Sequence, residues 1–396
     1  MSANNIITLL DTSTCWGAAY DIMQYGAKGD GITDDTKAFE QAWQMLCNDV
    51  EPGSSLTIPS VNTFLVGPIS FQGPCKSPDI HFEILGTIIA PEDPNSWNGC
   101  ETGAWIFFAN VTGLTVDGGG MINGRGAAWW IKSPTYMKEE LKCSIPPTAL
   151  HFENCNSLQL RHLSHRDSPR NHIGLSRSSY STISDLDIAA PANSPNTDGI
   201  DISTSTQIQI KNLVIKTGDD CIALNNGATQ INITDVNCGP GHGISIGSLG
   251  LNNSYDTVEG IYIKRCNFTG TQNGARIKTW QGGSGYARDI TFENIGLDNV
   301  FNPIIIDQHY CPDRNNCPTE SAAVNVSNIS YKFFQGTSSS RIAINFNCSD
   351  KIPCSGISLD RINIVSSTNR DKTAAYCNNA YGTISSTKPS VTCLSH

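Results

Sequence analysis

An apolar pair separated by three positions recurs along the chain: Leu160 with Leu163, Ile183 with Leu186, Ile210 with Leu213, Ile233 with Val236, Ile263 with Cys266, Phe292 with Ile295, Val326 with Ile329, and Leu359 with Ile362. Successive first members lie 23, 27, 23, 30, 29, 34 and 33 residues apart. Short alternations such as Ile208-Gln209-Ile210 and Ile231-Asn232-Ile233 accompany the pairs, with Asn, Asp and Gly at the expected corners. Alternation of period two marks half-buried strands, the small polar residues mark turns, and a fixed period of this length marks a repeat architecture. A leucine-rich horseshoe has a comparable period, but it carries repeated Leu-x-x-Leu-x-Leu, whereas this chain favours Ile, Val and Asn with abundant Gly. The pattern predicts an all-β solenoid, a single-stranded parallel β-helix whose rungs hydrogen-bond to one another around a stack of Ile, Val and Leu.

At the N-terminal end, Thr33-Asp34-Asp35-Thr36 leads into Ala38, Phe39, Ala42, Trp43 and Leu46, a helix-start signal followed by one apolar helical face. This short helix is expected to plug the open end of the solenoid, where an unpaired first rung exposes sheet edge and core. Its carboxylates are expected to be caps. Residues 1–18 are polar and aperiodic and read as a loosely docked tail. Length alone suggests two or three domains at ~150 residues each. No Pro/Ser-rich hinge, low-complexity tract or run of like charge interrupts the repeat, so residues 19–396 read as one domain, expected to be monomeric.

Charged residues make up only 16% of the chain. No stretch approaches the ~20 apolar residues of a membrane span, and nothing points to nucleic acid, nucleotide or a lipid anchor. Fifteen cysteines include the close pairs Cys221/Cys238, Cys311/Cys317, Cys348/Cys354 and Cys377/Cys393. Such pairs favour disulfides and an oxidising compartment; the competing reading is a metal site, but the Cys-x2-Cys spacing of zinc sites is absent. Asn-x-Ser/Thr acceptors at Asn110, Asn232, Asn252, Asn267, Asn325, Asn328 and Asn347 agree with secretion, although an Asn-rich solenoid generates some by chance. Residues 1–20 have neither the basic segment nor the apolar run of a signal peptide, so the expectation is a mature form or a lost export signal.

Four polar islands interrupt the apolar pattern: Asn196-Thr197-Asp198, Gly218-Asp219-Asp220, Gly241-His242-Gly243 and Arg276-Ile277-Lys278. Asp198 to Asp220 and Asp220 to His242 are each 22 residues, so on a solenoid they stack. Each rung lies ~4.8 Å above the last. Carboxylates held ~5 Å apart cannot all ionise easily, and one of them is expected to keep its proton. A protonated acid beside an ionised base is what glycoside hydrolysis needs, and Asp198, Asp219 and Asp220 are three candidates. The competing account is a ladder of Asp residues capping strand ends. His242 sits uncrowded between two glycines, though a turn histidine with no chemical role is the commoner case. Arg276 and Lys278 share one face of a strand. That suits an anionic sugar, and it also suits salt bridges to the Asp cluster; the two are compatible.

Taken together and in this order, the four segments resemble the signature segments of the polygalacturonases, the pectin-hydrolysing family of right-handed parallel β-helices. The run from Tyr25 to Thr36 and the segment from Asp307 to Pro312 resemble the plant-type branch, and the likeness covers residues 20–365. The resemblance implies an inverting hydrolase of α-1,4-linked galacturonan, the acidic backbone of pectin, with no metal or other cofactor, acting outside the cell at the wall. Asp219 would be the general acid, and Asp198 and Asp220 would hold and deprotonate water, an inverting pair standing ~6.5 to 9.5 Å apart. His242 would sit beside the acid. Arg276 and Lys278 would grip the galacturonate carboxylate, with Asn196 and Tyr310 as further substrate contacts.

Neighbouring strand residues face opposite ways, so Asp219 and Asp220 can both reach a cleft only from a turn or a distorted strand, and such an irregularity is expected. The formal charge of −10 opposes a polyanion at long range, so Arg276 and Lys278 have to compensate locally, and salt screens both effects. The need for a protonated Asp predicts an acidic pH optimum. A pectate lyase would instead use calcium and an arginine base and yield ultraviolet-absorbing ends. A rhamnogalacturonan hydrolase is expected to depart from the Gly-His-Gly and Arg-Ile-Lys segments, and a pectin-binding wall protein without activity has no need of three Asp. Endo or exo action depends on loops closing the cleft and is left open.

Overall fold

The computed structural model describes residues 17–97, 102–131, 145–312, 317, 319, 322–368 and 372–394; residues 1–16 of the expected tail fall outside them. Alternate Ile, Val and Leu build two parallel sheets, one of 17 strands and one of 11, wound as a right-handed parallel β-helix. In the smaller sheet Leu150, Ile173, Ile200, Ile222, Ile244, Ala275, Ile304 and Ile344 stand in register, one per rung. None is more than 1% exposed. Full burial of each Ile or Leu contributes about 1.5–3 kcal/mol, so the column is a large part of what holds the rungs together.

The three-residue spacing of the apolar pairs has a backbone cause. The residue two after the first member in seven of the pairs, namely His162, Asp185, Asn212, Asp235, Arg265, Asn294 and Arg361, and Phe333 at the matching corner of the rung between the last two, has φ between 52° and 59°. One left-handed residue turns the chain at the corner and returns the next side chain inward, so the second core residue falls at position three rather than two. Asn and Asp tolerate this conformation better than other L-residues and fill half of these sites. The register corrects one pair. Phe292 and Ile295 stand opposite Tyr331 and Phe334, whereas Val326 and Ile329 stand opposite Ala287 and Ile290. Val326 and Ile329 belong to a second corner of the rung, bent in the same way at Asn328. The steps on either side of that rung become 39 and 28 residues. Both corners share one spacing, so the apolar pattern over residues 326–334 satisfies either.

The helix Thr36–Asn48 closes the N-terminal end as expected, burying Ala38, Phe39, Ala42, Trp43 and Leu46. The Trp43 ring lies 5.1 Å from Phe71 and 5.5 Å from Phe108, and its Nε1 donates to the Gln72 carbonyl at 3.1 Å. Of the carboxylates expected to cap it, Asp34 accepts from Thr36 N at 3.0 Å. Asp35 does not cap; it accepts from Lys28 N at 2.7 Å and Gly29 N at 3.1 Å, fastening the preceding loop. The four expected disulfides are present, and a fifth, Cys47–Cys75, ties the end of the helix to the sheet. Its 28-residue separation gave no close pair to read. No helix among the described residues is long and apolar enough to cross a membrane.

Candidate active site

The polar islands fall on the smaller sheet, in the turns that open successive strands. Asp198 precedes Ile200–Ser203, Asp220 precedes Ile222–Leu224 and His242 precedes Ile244–Leu249, each by two residues, so the 22-residue spacing is one rung. Arg276 and Lys278 lie within the next strand, Asn273–Thr279. Asp219 and Asp220 lie in a bend outside any strand, which is the expected irregularity and lets both turn toward one side. Gly218 allows the bend: a Cβ there would meet the Ser194 carbonyl oxygen at 2.0 Å. The buried Thr197 hydroxyl accepts from Gly218 N at 3.0 Å and locks this turn onto the rung below.

Asp220 is fully buried and its carboxylate accepts from three side chains. Oδ1 accepts from Ser245 Oγ at 2.9 Å and from Arg276 Nη2, and Oδ2 accepts from Lys278 Nζ at 2.9 Å. Arg276 Nε also donates to Ser245 Oγ at 2.8 Å. Asp219, half-buried, pairs through Oδ1 with His242 Nδ1 at 2.9 Å, and its carbonyl accepts from His242 N at 2.7 Å. Asn273 Nδ2 donates to the His242 carbonyl at 3.0 Å, so the backbone that carries the imidazole is held from both neighbouring rungs. Lys278 Nζ stands 5.3 Å from the centre of the Tyr310 ring, which packs edge-on against Trp280 at 5.4 Å. Asn196 is exposed in the turn before Asp198, in the left-handed conformation. The expected residues thus gather on successive rungs of one sheet and the turns that open them, with Asn196 on the rim.

Two residues of the site escaped the sequence reading, Ser245 and Asp201. Gly174, Asp201, Ala223, Ser245 and Arg276 stand in register on the outward face, so counting from Arg276 down the repeat finds both. Burial pushes the Asp201 carboxyl up to about 7, aided by the charge of Asp220 and opposed by Arg170 and Lys278. Asp198 is held well above the usual carboxylate range, first by burial and then by the charges of Asp201, Asp219 and Asp220. Asp219 behaves oppositely. Burial pushes it up, but the His242 hydrogen bond and charge, with Lys278 and Arg276, outweigh burial and hold it below its ordinary value. Two carboxyls, Asp198 and Asp201, are thus pushed toward the protonated form, and Asp219, expected to be the acid, is pushed away from it in the free protein.

Asp219, Asp220 and His242 offer ligand atoms within 4.8 Å of one another. The chemistry of the set does not suit a cation, because Asp220 already carries the charges of Arg276 and Lys278 and Asp219 carries His242.

Residues 47–388 match the model of the family described as glycosyl hydrolases family 28. A protein of Arabidopsis thaliana described as a probable polygalacturonase is 47% identical over 380 residues, 95% of this chain and 80% of its own length. A polygalacturonase of Persea americana is 45% identical over 358 residues, 90% of this chain and 76% of its own. Among solved structures, endo-xylogalacturonan hydrolase from Aspergillus tubingensis superposes with a TM-score of 0.77 at 23% identity, covering 93% of this chain and 99% of its own. The polygalacturonase of Erwinia carotovora gives 0.71 at 21%, covering 93% and 97%. At these identities the structural likenesses speak for the fold.

Proposed function

Because the chain belongs to glycosyl hydrolase family 28, we propose that it is a polygalacturonase, hydrolysing the α-1,4 bonds of homogalacturonan by a single displacement with inversion, in the wall outside the cell. The observation that carries the reading is the join between two opposite charges: the buried Asp220, locked to Arg276 and Lys278, beside an Asp219–His242 pair. Five disulfides among the described residues support an oxidising destination.

Each residue has a task that follows from its surroundings. Arg276 spends two of its five donors on Asp220 and Ser245, and the rest are left for a sugar carboxylate. Lys278 adds a point charge, and the Tyr310 ring below it gives a flat apolar surface for the sugar. Asp198 and Asp220 hold the water, and one of them takes its proton as the water oxygen bonds the anomeric carbon; in the same step Asp219 gives its proton to the glycosidic oxygen that leaves. The groups that hold Asp219 low in the free protein favour the carboxylate it becomes, so they stabilise the transition state more than the ground state. A bound polyanion excludes water and offsets the charges of Arg276 and Lys278, which raises Asp219 and loads it with its proton before cleavage.

The test is incubation with de-esterified galacturonan, with and without a chelator, following reducing ends, ultraviolet absorbance and product lengths. New reducing ends without absorbance, indifferent to chelator and lost in Asp219→Asn, are expected; product lengths then separate endo from exo action. Chelator-sensitive absorbing products would mean a lyase, and binding without products a wall protein.

A further inference from the structure

Four carboxyls meet at this site, and they are not alike in their partners. Asp219 has His242 and Asp220 has Arg276 and Lys278, while neither Asp198 nor Asp201 has a basic group within ion-pair distance among the described residues. Asp201 projects from the outward face of Ile200–Ser203, in register between Gly174 and Ala223. The charged groups it faces are Asp198, Asp219, Asp220, Lys278 and Arg170. From the strand beyond Gly174 the His151 imidazole leans over that glycine, but its Nε2 is engaged with Ser176 Oγ at 2.9 Å. Asp201 Oδ1 is sealed from solvent with no hydrogen-bond partner, and neither oxygen of Asp198 is in that state.

Two neighbouring carboxyls, neither of them ion-paired, cannot both ionise cheaply at short range. We propose that Asp201 is a positioning residue of the site: it keeps the one proton that it and Asp198 have between them, leaving Asp198 as the carboxylate that holds the attacking water. The sealed Oδ1 decides the direction. An anion on Asp201 would leave that oxygen unsolvated, whereas a protonated carboxyl leaves only a neutral acceptor short of one bond. Burial and the neighbouring carboxyls raise Asp198 and Asp201 alike, so it is the sealed oxygen that assigns the proton.

The role of Asp201, though not the place of the proton, rests on the hydrolytic reading above, and the test separates the two. Carboxyl carbon NMR of aspartate-labelled protein, titrated from pH 3 to about 9, is run on the wild type, Asp201→Asn and Asp198→Asn, with turnover of galacturonan measured in parallel. The uppermost titration is expected to vanish in Asp201→Asn and to remain above the ordinary carboxylate range in Asp198→Asn. Turnover is expected to fall less than about 10-fold in Asp201→Asn, whose amide imitates the neutral acid, and more than about 100-fold in Asp198→Asn. An uppermost titration that survives in Asp201→Asn and is lost in Asp198→Asn overturns the proposal, as does an Asp201→Asn protein as inert as Asp198→Asn. A wild type that titrates as described without cleaving galacturonan would sink the hydrolytic reading alone.

Discussion

Asp220 is buried, and Ser245, Arg276 and Lys278 all donate to its carboxylate. Removing one partner leaves a buried charge short, which costs about 3–5 kcal/mol where a buried pair is broken. Arg276→Ala is therefore expected to lower stability by that order, seen as a fall in the midpoint of chemical unfolding, besides weakening substrate binding. Asp219 sits at the other extreme, where its state depends on what is bound. The alkaline limb of kcat, which reports the complex, is expected to lie at higher pH than that of kcat/KM, which reports the free enzyme. Coincident limbs would contradict loading of Asp219 by substrate. The stability consequence of Asp201 has a definite sign. A carboxyl raised from 3.8 to about 7 in the folded state binds its proton more tightly there than in the unfolded chain. Stability is lost as pH rises through that window. Asp201→Asn is expected to unfold at a higher temperature than the wild type at pH 8, by an effect on the order of a few kcal/mol, and to match it near pH 4. At this scale the sequence was legible where polar residues broke the apolar pattern, as at Asp198 and His242. Asp201 was missed because it lies inside an Ile-Asp-Ile alternation, where an outward polar residue is the ordinary state of any strand.

Turns carry Asp198, Asp219, Asp220 and His242, and the strands carry Asp201, Ser245, Arg276 and Lys278. The strands supply registered Ile and Leu, and their identity could be exchanged for other aliphatics of similar volume at modest cost. The bend at Gly218 could not, since the Ser194 carbonyl oxygen occupies the place of a side chain. Gly218→Ala is expected to displace Asp219 and Asp220 together and to reduce turnover by two orders of magnitude or about that, because small misplacement of reacting groups has such effects. Circular dichroism would still report a β-helix. The N-terminal helix is the converse case, since Cys47–Cys75 anchors an element distant in sequence from the islands. Loss of that disulfide is expected to cost about 2–5 kcal/mol in unfolding with kcat unchanged. The helix could be read from its apolar face and its preceding Thr and Asp residues, but the task of Asp35 could not, because its backbone partners at Lys28 and Gly29 come from a loop with no pattern of its own.

The molecule as a whole carries a formal charge of −10 and is proposed to bind a polyanion. The repulsion is spread over the surface and is screened within about 10 Å at 0.1 M salt. Arg276 and Lys278 act at contact distance from within the sheet and are screened less. Raising ionic strength from about 10 to 100 mM is expected to lower KM for galacturonan with little change in kcat, and a rise in KM over that range would mean that the contact charges dominate at every distance. The solenoid, its repeat length and the stacking of the islands were all legible, because one rung repeats one pattern. The corner to which Val326 and Ile329 belong was not, because two corners of the rung impose the same spacing. The most direct test of the central claim is proton NMR of galacturonan during its first turnovers, reading the configuration of the newly formed reducing end before mutarotation. A single displacement at an α-linkage predicts the β-anomer first and none in Asp219→Asn. The α-anomer first, or the vinylic signal of an unsaturated end, would contradict it.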